Sequence, residues 1–86
     1  MAIDITLPES GKTYSVKSFT RGQLRKINQM PKDNPSMELA AWWESIITEA
    51  IPDIEITDDW ATADIAYLAK TIMAYSNGGP DSVKNF

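Results

Sequence analysis

Two residue types that carry much of enzyme chemistry are missing from this chain of 86 residues, which has no histidine and no cysteine. Without histidine there is no imidazole general base, which is the commonest kind. Without cysteine there is no thiol nucleophile, no disulfide framework and no thiolate metal site. The lack of disulfides suits a reducing compartment. The sequence therefore argues against an enzyme, and it predicts neither a cofactor nor a metal site.

Long apolar runs are missing as well. No stretch approaches the roughly 20 apolar residues of a membrane span, and the first residues lack the basic and apolar regions of a signal peptide. A glycine-rich phosphate loop is also absent, because Gly78-Gly79 follows a helical pattern instead of preceding one. We therefore expect a cytoplasmic protein with no membrane partner.

Charge is present but unevenly distributed. Residues 1–32 carry six basic and two acidic side chains, a net charge of +4, whereas residues 33–86 carry two basic and ten acidic ones, a net charge of -8. This polarity indicates either two surfaces for different partners or solvated faces that happen to segregate. Arg21, Arg25, Lys26 and Lys32 form a basic group, but the chain is acidic overall and no recognition motif accompanies them. Nucleic acid is therefore not an expected partner.

The strongest helical pattern covers residues 34–51. At roughly 100° per residue its apolar side chains fall on one stripe, namely Leu39, Trp42, Trp43, Ile46, Ile47 and Ala50. Asn34 is the predicted amino-terminal cap, Pro35 suits the first helical position, and Pro52 stops the helix. Because so short a chain has little else with which to build a core, we expect the other elements to pack on this stripe.

A β-hairpin is predicted over residues 2–18, before the first helix. Apolar and polar residues alternate on both sides of the turn sequence PESGK. A lone hairpin is marginal in water, so it is expected to lean on the helices. The first helix is predicted over 21–30, with Thr20 and Gln23 as a capping box and Pro31 as its end.

The third helix is predicted over about 58–76, with Thr57 or, for a later start at 63, Thr62 as its cap. Its inward stripe comprises Ala61, Ile65, Leu68, Ala69, Ile72 and Met73. The acids at its start, Asp58, Asp59 and Asp64, suit the positive end of the helix better than a catalytic pair. The predicted fold is thus α+β, a hairpin followed by three helices around the Trp-bearing one, with one domain over 1–77 and a flexible tail over 78–86.

Candidate partner-binding residues come from two places. If the third helix begins early enough to include Trp60, its outer side is an exposed aromatic face; the alternative is that the hairpin or the tail covers that side. The candidate residues are Trp60, Tyr67, Thr71 and Ala74 from this side, and Arg21, Arg25 and Lys26 from the basic group.

The whole pattern resembles the small tail assembly chaperones of long-tailed bacteriophages. The segments that carry the resemblance are the hairpin ITLPESGKTYSVKSF, the helix start TRGQLRKIN, a Trp-bearing helix and the late DIAYLAKTIMAY. Thr20, Gln23 and Leu24 match the family's first helix start, and Asp64 and Leu68 match its late segment. The resemblance covers about residues 3–76 and rests on capping and core patterns.

This resemblance implies a non-enzymatic protein of the host cytoplasm that binds the phage tape measure protein and helps tail tube proteins assemble around it. It also implies a longer form made by ribosomal frameshifting, with the tail as the junction, so removing the residues after Asn77 is expected to preserve the melting temperature. The acidic residues after position 32 leave an alternative of another class, a DNA-mimicking inhibitor of a nuclease or another small phage-encoded interaction protein.

Overall fold

The computed structural model describes residues 2–78. Over this range the chain is an α+β protein in which a two-stranded antiparallel hairpin precedes three helices. The strands are β1 (Ala2–Thr6) and β2 (Thr13–Lys17), and the helices are α1 (Arg21–Asp33), α2 (Leu39–Ala50) and α3 (Thr62–Gly78). The predicted fold class and order of elements are confirmed. Apart from Gly78, the predicted tail lies outside the described residues.

The hairpin forms as its alternating pattern predicts. Its register places Ile3 opposite Val16 and Ile5 opposite Tyr14, so that apolar side chains share the inner face. Leu7 and Gly11 close the turn, because the Leu7 amide donates to the carbonyl of Lys12 at 2.8 Å and the Gly11 amide donates to the carbonyl of Leu7 at 3.1 Å. Gly11 has φ +75°, a left-handed conformation that glycine adopts without steric cost.

The core lies where α2 and α3 pack together and against the inner face of the hairpin. Its fully buried side chains come from the hairpin and from all three helices, namely Leu7, Val16, Ile27, Ile46, Ile47, Leu68 and Ile72. Ile46 and Ile47 confirm the centre of the α2 stripe, and Trp42 and Trp43 are half-buried at its sides. The first member of the stripe was wrongly placed, because Leu39 is 57% exposed.

Helix α1 continues past Pro31 to Asp33, so the prediction that Pro31 ends it was wrong. Proline lacks an amide hydrogen and cannot donate to the carbonyl of Ile27, four residues earlier. That carbonyl instead accepts a hydrogen bond of 2.8 Å from Nε1 of Trp42 on α2. Because a side chain replaces the missing backbone donor, the helix proceeds to its end, where the Asn34 amide donates to the carbonyl of Met30 at 3.0 Å.

The amino end of α2 also differs from the prediction. Asn34 ends α1 and does not cap α2, which begins at Leu39 and not at Pro35. Glu38 occupies the cap position but makes no capping hydrogen bond with its side chain. The proline was read as a helix start, whereas residues 34–38 belong to the connection between the two helices. The carboxyl end agrees with the prediction, because α2 stops at Ala50, just before Pro52.

Helix α3 begins at Thr62, four residues later than the predicted 58 and one residue before the alternative start. The residues before it form a turn, in which the Trp60 amide donates to the carbonyl of Thr57 at 3.2 Å. The turn is not continued into the helix, because residue 61 lies between them outside any helical segment. Trp60 consequently lies outside the helix.

The hairpin turn is fastened to α3 by Asp64, which is only 1% exposed. Its carboxylate accepts a hydrogen bond from the Glu9 amide at 2.8 Å and another from the Ser10 amide at 3.0 Å. A carboxylate in the first turn of a helix is also favoured by the helix dipole. Asp64 lies near the amino end of the third helix, as predicted, but the sequence did not predict its contact with the hairpin.

Candidate partner-binding site

The basic group on α1 lies on the surface, but its three members differ in their contacts. Arg21, Arg25 and Lys26 are all exposed. Lys26 Nζ lies 2.8 Å from Oε1 of Glu49 on α2, and this is the one salt bridge between side chains in residues 2–78. Nε2 of Gln23 donates to the other oxygen of Glu49 at 3.3 Å. The positive charge of Lys26 is thus partly neutralised by Glu49 within the protein.

These contacts act on the ionisation of Glu49. Hydrogen bonds from Lys26 and then Gln23 hold the pKa of this carboxyl below its usual value, against a smaller opposing effect of burial. Gln23 also completes the predicted capping box, because the Thr20 amide donates to its Oε1 at 2.9 Å and its own amide donates to Oγ1 of Thr20 at 3.2 Å. The start of α1 is therefore tied to α2 through polar contacts.

The four candidate residues near α3 do not form one exposed face. Trp60 precedes the helix and is half-buried, stacked on Tyr14 with ring centroids 6.0 Å apart and planes inclined by 27°. Thr71 is 1% exposed and donates to the carbonyl of Tyr67, so its assignment to a partner surface was wrong. Ala74 is half-buried, and Tyr67 is 36% exposed. Tyr14 of the hairpin covers part of this side, which agrees with the alternative that the hairpin or the tail covers it.

An apolar groove instead runs between α2 and α3. It is lined by Trp42, Trp43, Ile46, Ala69, Lys70 and Met73 and has a volume of about 260 Å³. Ile46 and Ala69 belong to the fully buried core, so the base of the groove is the core itself. Half-buried tryptophan and methionine side chains form its sides. Such a surface suits an apolar side chain from a partner better than it suits a polar substrate.

Lys70 is the single charged residue that lines this groove. Its Nζ lies 5.3 Å from the centroid of the Trp43 ring, a cation–π contact. No carboxylate of residues 2–78 forms a salt bridge with it. Lys70 is also the one basic residue between positions 33 and 78, a range that contains nine acidic residues. The groove therefore combines an apolar base with an isolated positive charge.

The apolar character extends to the first turn of α2. Leu39 lies three and four residues before the two tryptophans, the spacing of side chains that are neighbours on a helix surface. Its 57% exposure is the largest among the large apolar residues of the part of the chain described. Leu39 and the groove together form an apolar surface on one side of the α2–α3 pair, which we call the Leu39–groove surface.

Two further cavities are more polar. One lies at the hairpin turn and the start of α3, beside Asp64 and Trp60, and the other lies between α1 and α2 beside the Lys26–Glu49 pair. Residues 2–78 contain no group of three or more acidic side chains arranged to hold a metal ion. Within the same range, no helix combines the length and apolar character needed to cross a bilayer.

The sequence did not indicate this groove, because helical spacing alone does not tell which apolar residues a neighbouring element covers. The available signal was Lys70, a lone basic residue in a long acidic segment. Comparison with known proteins adds no relative: no family model, no curated protein and no solved structure matches this chain. The function must therefore be argued from the residues and their arrangement.

Proposed function

We propose that this protein is a non-enzymatic tail assembly chaperone of a long-tailed bacteriophage, which binds the tape measure protein and assists polymerisation of the tail tube. The resemblance in sequence provides the process and the partners. The proposal is supported by the roles of the residues that match the family, because Thr20 and Gln23 form a capping box and Leu68 is fully buried in the core. Asp64, the other late match, holds the hairpin turn.

The observation that carries the proposal is the Leu39–groove surface. A chaperone must offer apolar surface to a partner while remaining folded itself. Here Ile46 and Ala69 complete the core at the base of the groove, while Leu39 and the sides of the groove stay accessible. Exposed apolar patches of this kind commonly mark sites of protein–protein interaction.

Copurification tests this function. The gene is expected to lie between those of the tail tube and tape measure proteins, and both neighbours can be produced with the chaperone. We expect the tagged chain to retain the tape measure protein through purification and to keep it in solution. If neither protein is retained at micromolar concentrations, the proposed function is wrong.

The alternative, a DNA-mimicking nuclease inhibitor, is supported by the acidic composition after position 32. Two of those acids are poorly placed for it, because Asp64 is buried and Glu49 is paired with Lys26. A nuclease assay separates the two functions. Inhibition of a host nuclease at stoichiometric concentrations, together with no binding to the tape measure protein, would favour the DNA mimic.

A further inference from the structure

We propose that the groove between α2 and α3 is the docking site for an amphipathic helix of the tape measure protein. An apolar side chain of that helix fills the groove, and a carboxylate nearby on the same helix pairs with Lys70. This inference rests on the proposed function and assigns its partner to one surface of the chain.

The shape of the groove selects a helix with a large apolar side chain. Two neighbouring helices provide its walls, and the small side chain of Ala69 leaves depth between the tryptophans of α2 and Met73 of α3. Grooves between helices accept the apolar face of a third helix through anchors spaced three or four residues apart. Met73 can adjust its shape to the anchor because its thioether side chain is flexible. Leu39 lies where a second anchor one turn away would make contact.

The charge distribution fixes the position of the partner's carboxylate. Nine acidic residues lie between positions 33 and 78, so a carboxylate brought to most of this half of the chain meets charges of its own sign. At the groove it meets Lys70, which has no salt bridge to a carboxylate of residues 2–78. A single positive charge beside an apolar groove therefore favours one register of a bound helix, the one that brings a carboxylate to Lys70.

Trp43 connects the apolar and the charged parts of the site. The ammonium group of Lys70 is held over its ring at 5.3 Å, so the charge is positioned before the partner arrives. A partner that covers Lys70 and Trp43 removes water from the cation–π contact, which strengthens it. Tryptophan at the centre of an apolar contact is also among the residues that contribute most to binding.

The test is a binding titration between the full chain and the purified tape measure protein. We expect Lys70→Glu to weaken binding by more than about tenfold and Lys70→Met, which keeps the apolar stem, to weaken it by only a few fold. Lys17→Glu is the matched control, because it makes the same change in net charge at an exposed position of β2 that does not line the groove. Binding by this variant should stay within about twofold of wild type.

A charge exchange gives a second readout that a change in stability would not reproduce. Individual acidic residues of the tape measure protein are replaced by lysine, and one such replacement should restore binding to Lys70→Glu while weakening binding to wild type. Because Lys70 is exposed, melting temperatures of its variants should stay within a few degrees of wild type.

The outcomes separate the two proposals. Wild-type binding with an unaffected Lys70→Glu variant overturns the docking site but leaves the proposed function standing. No binding by the wild type overturns both. If Lys70→Glu instead disrupts self-association in sedimentation experiments and leaves tape measure binding unchanged, the groove is a contact between copies of this chain and the docking proposal is wrong.

Discussion

The hydrogen bond from Trp42 to the carbonyl of Ile27 makes a specific prediction about stability. Pro31 leaves that carbonyl without its helical donor, and the indole replaces it at 2.8 Å. Trp42→Phe removes the donor and keeps an aromatic ring, so the carbonyl of a fully buried residue loses its partner. An unpaired buried polar group costs about 1–3 kcal/mol, and the smaller ring loses packing worth about 1 kcal/mol.

A second substitution separates these two contributions. Pro31→Ala restores an amide hydrogen at the position that normally bonds to Ile27. In that background Trp42→Phe should cost only the packing contribution, about 1 kcal/mol. The double-mutant cycle should therefore show a coupling energy of about 1–3 kcal/mol between Pro31 and Trp42.

Equilibrium urea unfolding of the wild type, both single variants and the double variant measures this coupling. Trp43→Phe is the matched control, because no hydrogen bond joins Trp43 Nε1 to any atom of residues 2–78; its cost should be the same in both backgrounds. If Trp42→Phe costs the same with and without Pro31, within about 0.3 kcal/mol, the indole does not compensate for the proline.

Four other substitutions test the rest of the fold. Ile46→Ala should lower the free energy of unfolding by about 2–5 kcal/mol because it opens a cavity in the core, whereas Leu39→Ala on the exposed turn should change it by less than about 0.5 kcal/mol in the same urea experiment. Asp64→Ala should cost about 2–4 kcal/mol, since two backbone amides lose a charged acceptor, and a loss below about 1 kcal/mol in thermal melts would mean that the turn does not depend on it. Glu49→Gln should cost less than about 1 kcal/mol at pH 7. Because the folded state lowers the pKa of Glu49, its contribution is present above the unfolded-state pKa and is lost as the pH falls through the folded-state pKa. Melts at a series of pH values below 7 should show the difference between wild type and Glu49→Gln shrinking in acid, and an unchanged difference would contradict the assigned cause.

Local patterns predicted the elements well where the decisive interactions lie close in sequence. The Thr20–Gln23 capping box depends on residues three positions apart, and the alternation of the hairpin depends on each strand alone. Both were therefore visible in the sequence. The order hairpin, helix, helix, helix followed from such signals.

The errors arose where a distant residue decides the outcome. Pro31 stays within α1 because a side chain 11 positions later supplies a donor, and Asp64 is buried because amides 54 and 55 positions earlier bond to it. The candidate site failed for a related reason. Helical spacing groups apolar residues on one side, but it does not tell which of them a neighbouring element covers. Leu39 remained exposed, Thr71 was buried, and the groove came from side chains of two helices.

The attachment of the hairpin turn to α3 has a consequence for synthesis of the chain. Asp64 binds the amides of Glu9 and Ser10, and Oγ of Ser76 accepts from the Phe19 amide at 2.9 Å, so the first element is completed by the last. At about 5–20 residues per second, the hairpin waits roughly 3–10 s for α3 to be translated. During that time its apolar face has no partner in the finished part of the chain except α1 and α2. The nascent chain therefore passes through an interval in which the apolar face of the hairpin lacks the cover that α3 gives it in the folded protein.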